Sequence, residues 1–170
     1  MTINFYSDKG GVGLTTIAAA AAMQRSLKLP TVLSVPDRGE LSDVAAALGL
    51  STPYEGETLV SGDLSVAIDA PDADIAIGYD AGGTDVLVTR ACYLALRRSA
   101  ASNRKADSIV LLTEPGRCLS ARDVEGALGS KVVATIETDP TVARAIDAGL
   151  LSARMPKSLA NLMVAVAINA

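Results

Sequence analysis

The chain has 170 residues, of which 49% are hydrophobic and 20% charged, and its net charge is −4. That length suits one domain over residues 1–170 with a core of its own, and the composition excludes a disordered chain. The acidic balance excludes global attraction to nucleic acid or to an anionic membrane as the main driving force, although it leaves room for a local basic patch. Two cysteines, Cys92 and Cys118, are too few for a disulfide framework or a four-thiolate zinc site. There is no histidine, which excludes Ser-His-Asp triads, Cys-His dyads and imidazole-ligated metals.

Apolar runs alternate with helical stretches. Ile3 to Tyr6 reads as a first strand, followed by a glycine loop and an alanine-rich helix from about Thr15 to Leu27, which Pro30 ends. Thr31–Val35 is a second strand, stopped by Pro36, and Leu41–Leu48 a helix with Gly49 as its C-terminal stop. Residues 51–72 are the least regular, with short edge strands expected near Leu59 and Val66. Asp74–Tyr79, Val86–Thr89, Ser108–Leu112 and Lys131–Ile136 read as further strands. Helices are expected over Cys92–Ala101, Ser120–Leu128, Thr141–Ala148 and Ser158–Ala167. Near-continuous apolar strands separated by helices predict an α/β sandwich of three layers with a mainly parallel central sheet. The N-terminus lacks the charged-then-apolar order of a signal peptide, and no run reaches the ~18 apolar residues that span a bilayer. The expectation is a soluble cytoplasmic protein.

The informative segment is Ser7-Asp8-Lys9-Gly10-Gly11-Val12-Gly13-Leu14-Thr15-Thr16. It follows a strand and opens a helix. Glycines there let successive N–H groups turn inward, and that nest joins the positive end of the helix dipole in an anion site sized for phosphates. A hydroxyl in the first helical turn, here Thr15, suits a magnesium ion bridging phosphate oxygens.

This string resembles the deviant Walker A motif of the ParA/MinD family of P-loop ATPases, Lys-Gly-Gly-x-Gly-Lys-Thr-Thr, at seven of its eight positions, Lys9 to Thr16. The resemblance implies a P-loop NTPase-like fold, ATP and Mg2+ as cofactors, a nucleotide site over Lys9, Gly10, Gly11, Val12, Gly13, Leu14, Thr15 and Thr16, and Thr15 on the metal. In that family the signature lysine, here Lys9, reaches across a dimer interface to the partner's nucleotide. The mismatch is Leu14, which stands where the family has a lysine on the β- and γ-phosphates. Losing a charge-assisted hydrogen bond of ~1.5–3 kcal/mol weakens binding roughly 10- to 100-fold and slows hydrolysis further, because that ammonium also meets charge developing in the transition state.

Three further stations of the family have counterparts. After the second strand, where the family carries an Asp-x-Asp motif that handles the attacking water, the chain reads Val35-Pro36-Asp37-Arg38-Gly39-Glu40. Asp37 is the catalytic candidate; the other reading makes Asp37-Arg38-Gly39 a polar turn. Asp80 is the candidate magnesium-binding Walker B aspartate, in competition with a register that puts Gly78 there and with a plain turn before Gly82-Gly83. Asp139 and Pro140 resemble the family's Ile-Pro-x-Asp turn beside the adenine, with Glu137 in place of the proline; the other reading is helix capping alone.

Two functions from different classes follow. In one, the chain is a ParA/MinD-like partition or positioning protein, a homodimer or higher assembly with a protein partner or cargo adaptor, binding ATP and Mg2+ weakly with slow or absent hydrolysis. In the other it is a pseudo-ATPase scaffold whose dimer or polymer forms without nucleotide. Arg90, Arg97, Arg98, Arg104 and Lys105 are candidates for non-specific DNA contacts, against the plainer reading of a solvated helix surface. The C-terminal apolar stretch Leu159–Ile168 has no Lys or Arg. It lacks the cationic face of a membrane-surface helix, so no membrane targeting is expected.

Overall fold

A computed structural model of the chain describes residues 1–51, 58–78, 82–138 and 140–168. In chain order the elements are β1 (Ile3–Tyr6), α1 (Leu14–Ser26), β2 (Thr31–Val35), α2 (Arg38–Leu48), β3 (Thr58–Ser61), β4 (Leu64–Ile68), β5 (Ile75–Ile77), β6 (Thr84–Arg90), α3 (Tyr93–Ala101), β7 (Ser108–Thr113), α4 (Ala121–Leu128), β8 (Lys131–Glu137), α5 (Pro140–Asp147) and α6 (Leu162–Ile168). The strands form one sheet in the order β3-β4-β2-β5-β1-β6-β7-β8. Every pairing is parallel except β3 with β4.

The two-residue period of the strands separates two apolar layers. On β6 and β7, Val86, Val88, Val110 and Leu112 join the larger core with α1, α2, α5 and α6. Leu87, Ile109 and Leu111 face the opposite way, into a smaller core with Leu96 of α3 and Val124 of α4. The expected three-layer sandwich with a mainly parallel sheet is therefore the observed fold.

Helix α1 owes its place to small side chains. Ala18, Ala19, Ala20, Ala21 and Ala22 are all fully buried, and the helix touches β1, β2, β4, β5, α2 and α6. A helix covered all round needs no amphipathic stripe, and alanine lets neighbouring backbones come close. Ala20→Leu should overpack this seam and lower stability by about 1–3 kcal/mol, read as a fall in the urea midpoint at unchanged slope.

Among the departures from the sequence expectation are two helix starts and the place of one strand. Helix α2 starts at Arg38 rather than Leu41, because the Asp37 carboxylate accepts the Glu40 N–H at 2.9 Å and caps the extra turn. Val66 lies on β4, an interior strand paired with β2 on one side and β3 on the other, so of these two strands the Leu59 strand alone is an edge. The last helix starts at Leu162 rather than Ser158. The preceding residues close four-residue turns instead, Leu159 N–H to Pro156 O and Ala160 N–H to Lys157 O.

The strand β1 sits in the middle of the sheet, between β5 and β6. Only residues 78–83 join those two parallel strands, fewer than the dozen or more that a crossover ordinarily takes. Gly83 runs against β1 so closely that a Cβ there would lie 2.1 Å from the Thr2 carbonyl oxygen.

Candidate functional site

The loop between β1 and α1 has the curled form that its glycines predict. Gly11 and Gly13 are both left-handed, at φ 72° and 92°. Gly13 is the residue before the first helical turn, and a Cβ on it would meet Leu112 Cδ2 at 3.0 Å, so glycine is required for conformation and for space. Val12 is 1% exposed and anchors the loop in the larger core. No side chain caps α1 and its first turn holds no acid. By contrast, Asp37 caps α2, and a reciprocal Ser120–Asp123 box caps α4. The start of α1 thus carries uncompensated N–H groups and the positive end of the dipole at the C-terminal edge of the sheet.

These groups open on a cavity of about 530 Å³, within the usual range for small-molecule sites. Its walls include Gly10, Gly11, Gly13, Leu14, Thr15 and Thr16 from the loop and helix start. Glu40 contributes from α2 and Arg90 from the end of β6. Thr138, Val142, Ile146 and Asp147 come from the β8–α5 region. The segment after β8 and the glycine loop, remote from each other in the chain, therefore share one cavity. Thr138 is held there by its hydroxyl, which donates to Thr113 O at 2.6 Å.

Each sequence candidate has a definite position or falls outside the described residues. Lys9 is half-buried, with its ammonium 3.4 Å from Gly10 O. Leu14 is half-buried and packs on the larger core while lining the cavity. The Thr15 hydroxyl donates to Glu40 Oε1 at 2.5 Å. Asp37 is exposed, spends its carboxylate on the α2 cap and does not line the cavity. Pro140 is the first residue of α5, as expected for a proline. Asp80 and Asp139 lie outside the described residues. Gly78, the alternative register for the Walker B position, is left-handed at φ 69° and donates its N–H to Phe5 O at 2.6 Å. Among the described residues no cluster of three or more metal-ligating side chains occurs.

Among the cavity residues that sequence did not single out for this site are Glu40 and Arg90. The Asp37-x-x-Glu40 spacing is a helix-start signal that would have placed Glu40 in the first turn after β2. Arg90 required the sheet order. Of the five candidate basic positions, Arg97, Arg98 and Lys105 are exposed. Arg104 stacks over the Tyr6 ring at 4.0 Å and grips Asp85 with Nε at 3.2 Å and Nη2 at 2.8 Å. Burial opposes the Asp85 charge, yet the bonds from Arg104 and Asn4 outweigh it and hold that carboxyl below its ordinary range. Burial, with the Asp8 carboxylate next in weight, pushes the Tyr6 phenol up to about 12.

The fold is that of the MinD and ParA ATPases, a P-loop NTPase fold. Three solved structures illustrate it. The cell division ATPase MinD of Pyrococcus furiosus superposes with a TM-score of 0.76 at 18% identity, covering 99% of both chains. The septum site-determining protein MinD of Pyrococcus horikoshii OT3, complexed with Mg-ADP, gives 0.73 at 16% identity over 100% of this chain and 99% of that one. A ParA family ATPase from Chlorobium tepidum TLS gives 0.67 at 16% identity over 98% of each chain. Neither the protein-family models nor the curated proteins give a match to the sequence. Among the described residues, no helix is long and apolar enough to cross a membrane.

Proposed function

We propose that this chain, acting as a single ParA/MinD-like domain, is a partition or positioning protein that dimerises and binds ATP with Mg2+ weakly, hydrolysing it slowly or not at all. The observation that carries this reading is the uncapped start of α1, with two left-handed glycines, opening on a cavity of about 530 Å³. Amides from Gly10 to Thr16 would hold the phosphates and Thr15 and Asp80 the magnesium, while Asp139 and Pro140 would flank the base. Lys9 would serve a partner subunit's nucleotide. Asp37 would reach the attacking water only by leaving the α2 cap, which adds to the loss at Leu14 in slowing hydrolysis. The Mg-ADP complex of the P. horikoshii MinD supports the choice of ligand.

A second reading, a scaffold that assembles without nucleotide, draws support from the Thr15–Glu40 bond, in which a carboxylate of the chain already occupies the hydroxyl meant for the metal. Titration with ATP and Mg2+, followed by light scattering for oligomeric size, separates the two. Saturable binding that drives dimerisation supports the first. A dimer or filament indifferent to ATP supports the second. On the first reading, Glu40→Gln removes one negative charge from the cavity and should tighten Mg2+-free triphosphate binding roughly three- to tenfold, as calorimetry would read it.

A further inference from the structure

We propose that Arg90 is the cation that holds the phosphate tail in this cavity, supplying the charge that Leu14 does not. The inference deepens the nucleotide reading and rests on it. Leu87 of β6 is level with Tyr6, the last residue of β1, so Arg90 lies three residues further along, beside the glycine loop. The N–H of the next residue, Ala91, bonds Leu112 O at 2.9 Å, and the Leu112 side chain is the one that meets Gly13. Strand end and loop thus share a wall. Among the described residues that line the cavity, Arg90 is the one cation, alongside two carboxylates, Glu40 and Asp147. Lys9 is not part of that lining.

The guanidinium is held and yet incompletely used. Its Nη1 donates to Glu114 Oε1 at 2.7 Å, while its Nε is buried with no hydrogen-bond partner. A buried N–H of that kind lacks an acceptor, which a phosphate oxygen would provide. Glu114 does not cancel the charge. Its other oxygen receives both Nε, at 2.9 Å, and Nη2, at 2.7 Å, of Arg117, so one carboxylate is shared between two guanidiniums and the trio stays net positive. A planar fork with one side fixed on a carboxylate is preorganised to meet phosphate with the other.

The test is calorimetric titration of the full chain with Mg2+-free inorganic triphosphate, alongside ATP with Mg2+. Arg90→Ala should weaken triphosphate binding about 10- to 100-fold. Arg90→Gln, neutral and of similar reach, serves the same purpose if the alanine variant does not fold. Glu114→Ala, which breaks the ion pair but leaves the guanidinium, should bind triphosphate as well as the parent or more tightly. Undiminished binding in a cooperatively melting Arg90→Ala or Arg90→Gln would overturn the assignment and leave the nucleotide reading intact. Equal losses in Glu114→Ala and Arg90→Ala would also overturn it, reducing Arg90 to a structural ion-pair partner. A parent chain that binds neither triphosphate nor ATP would sink the nucleotide reading, and this inference with it.

Discussion

Gly49→Ala should destabilise the protein by roughly 2–5 kcal/mol, combining about 1–2 kcal/mol for a side chain in the left-handed region with about 1–3 kcal/mol for overpacking. Gly49 closes α2 at φ 71°, and a Cβ there would stand 2.0 Å from the Gly149 carbonyl oxygen. Gly149 ends the α5 segment in the same conformation, at φ 62°, and its own Cβ would stand 3.0 Å from both Ala46 O and Gly49 Cα. Two helix termini are therefore pressed together, glycine on glycine. The chain then runs on with Leu151 N–H to Ala47 O at 3.2 Å and the Ser152 hydroxyl to Leu48 O at 2.5 Å. Neither backbone has a flexible side chain that could yield. The expected fall in melting temperature is on the order of 10 °C. Gly116→Ala is the natural comparison: its φ is 80° but a Cβ there meets nothing within 4 Å. It should cost only the conformational part, about 1–2 kcal/mol. Equal melting temperatures for the two variants would mean that the α2–α5 contact is looser than described.

Leu14→Lys should tighten binding of ATP with Mg2+ about 10- to 100-fold, the worth of one charge-assisted hydrogen bond. The position is right for it, since Leu14 is the first residue of α1 and lines the cavity beside Gly13 and Thr15. The exchange has a cost, because Leu14 also packs on the larger core. Losing part of that burial should lower the stability of the free protein by roughly 1–2 kcal/mol. The two effects separate in a thermal-shift series: the variant melts below the parent without nucleotide, and the gap narrows or reverses as ATP is added. A variant that melts lower at every ATP concentration and shows no gain in affinity would mean that the cavity is not competent for nucleotide apart from its missing lysine. Arg90 sharpens this experiment. If it already neutralises the phosphate tail, Leu14→Lys combined with Arg90→Ala should return affinity close to that of the parent.

Much of the architecture was legible because the physics is local. Ile3–Tyr6, Thr31–Val35, Ser108–Leu112 and Lys131–Ile136 are short apolar runs between helix signals, and each forms a strand within a residue of the expected bounds. The glycine loop was legible for the same reason: the left-handed backbone found at Gly11 and Gly13 is one that glycine admits at no steric cost, whatever the rest of the chain does. What depended on lateral order was not legible. Leu59 and Val66 both read as edge strands, although β4 is enclosed by β2 and β3. Arg90 read as one of several surface cations, because nothing in the sequence says that β6 lies next to β1. Asp37 was open between a polar turn and a functional carboxylate. Its bond to the Glu40 N–H settles the cap, which the Asp-x-x-Glu spacing had encoded.

The central position of β1 has a consequence for how the chain is made. Thr2 bonds Ala73, 71 positions later, and Asn4 bonds Asp85, 81 positions later. On the ribosome, the strand that leads into the glycine loop emerges well before either neighbour exists, and its apolar side chains wait without a sheet to enter. Pairing so remote in sequence is slow, and the waiting strand is the sort of segment that chaperones shield. Nascent chains stalled before residue 74 should therefore be protease-sensitive throughout β1, and protection should arrive only once β6 has cleared the exit tunnel.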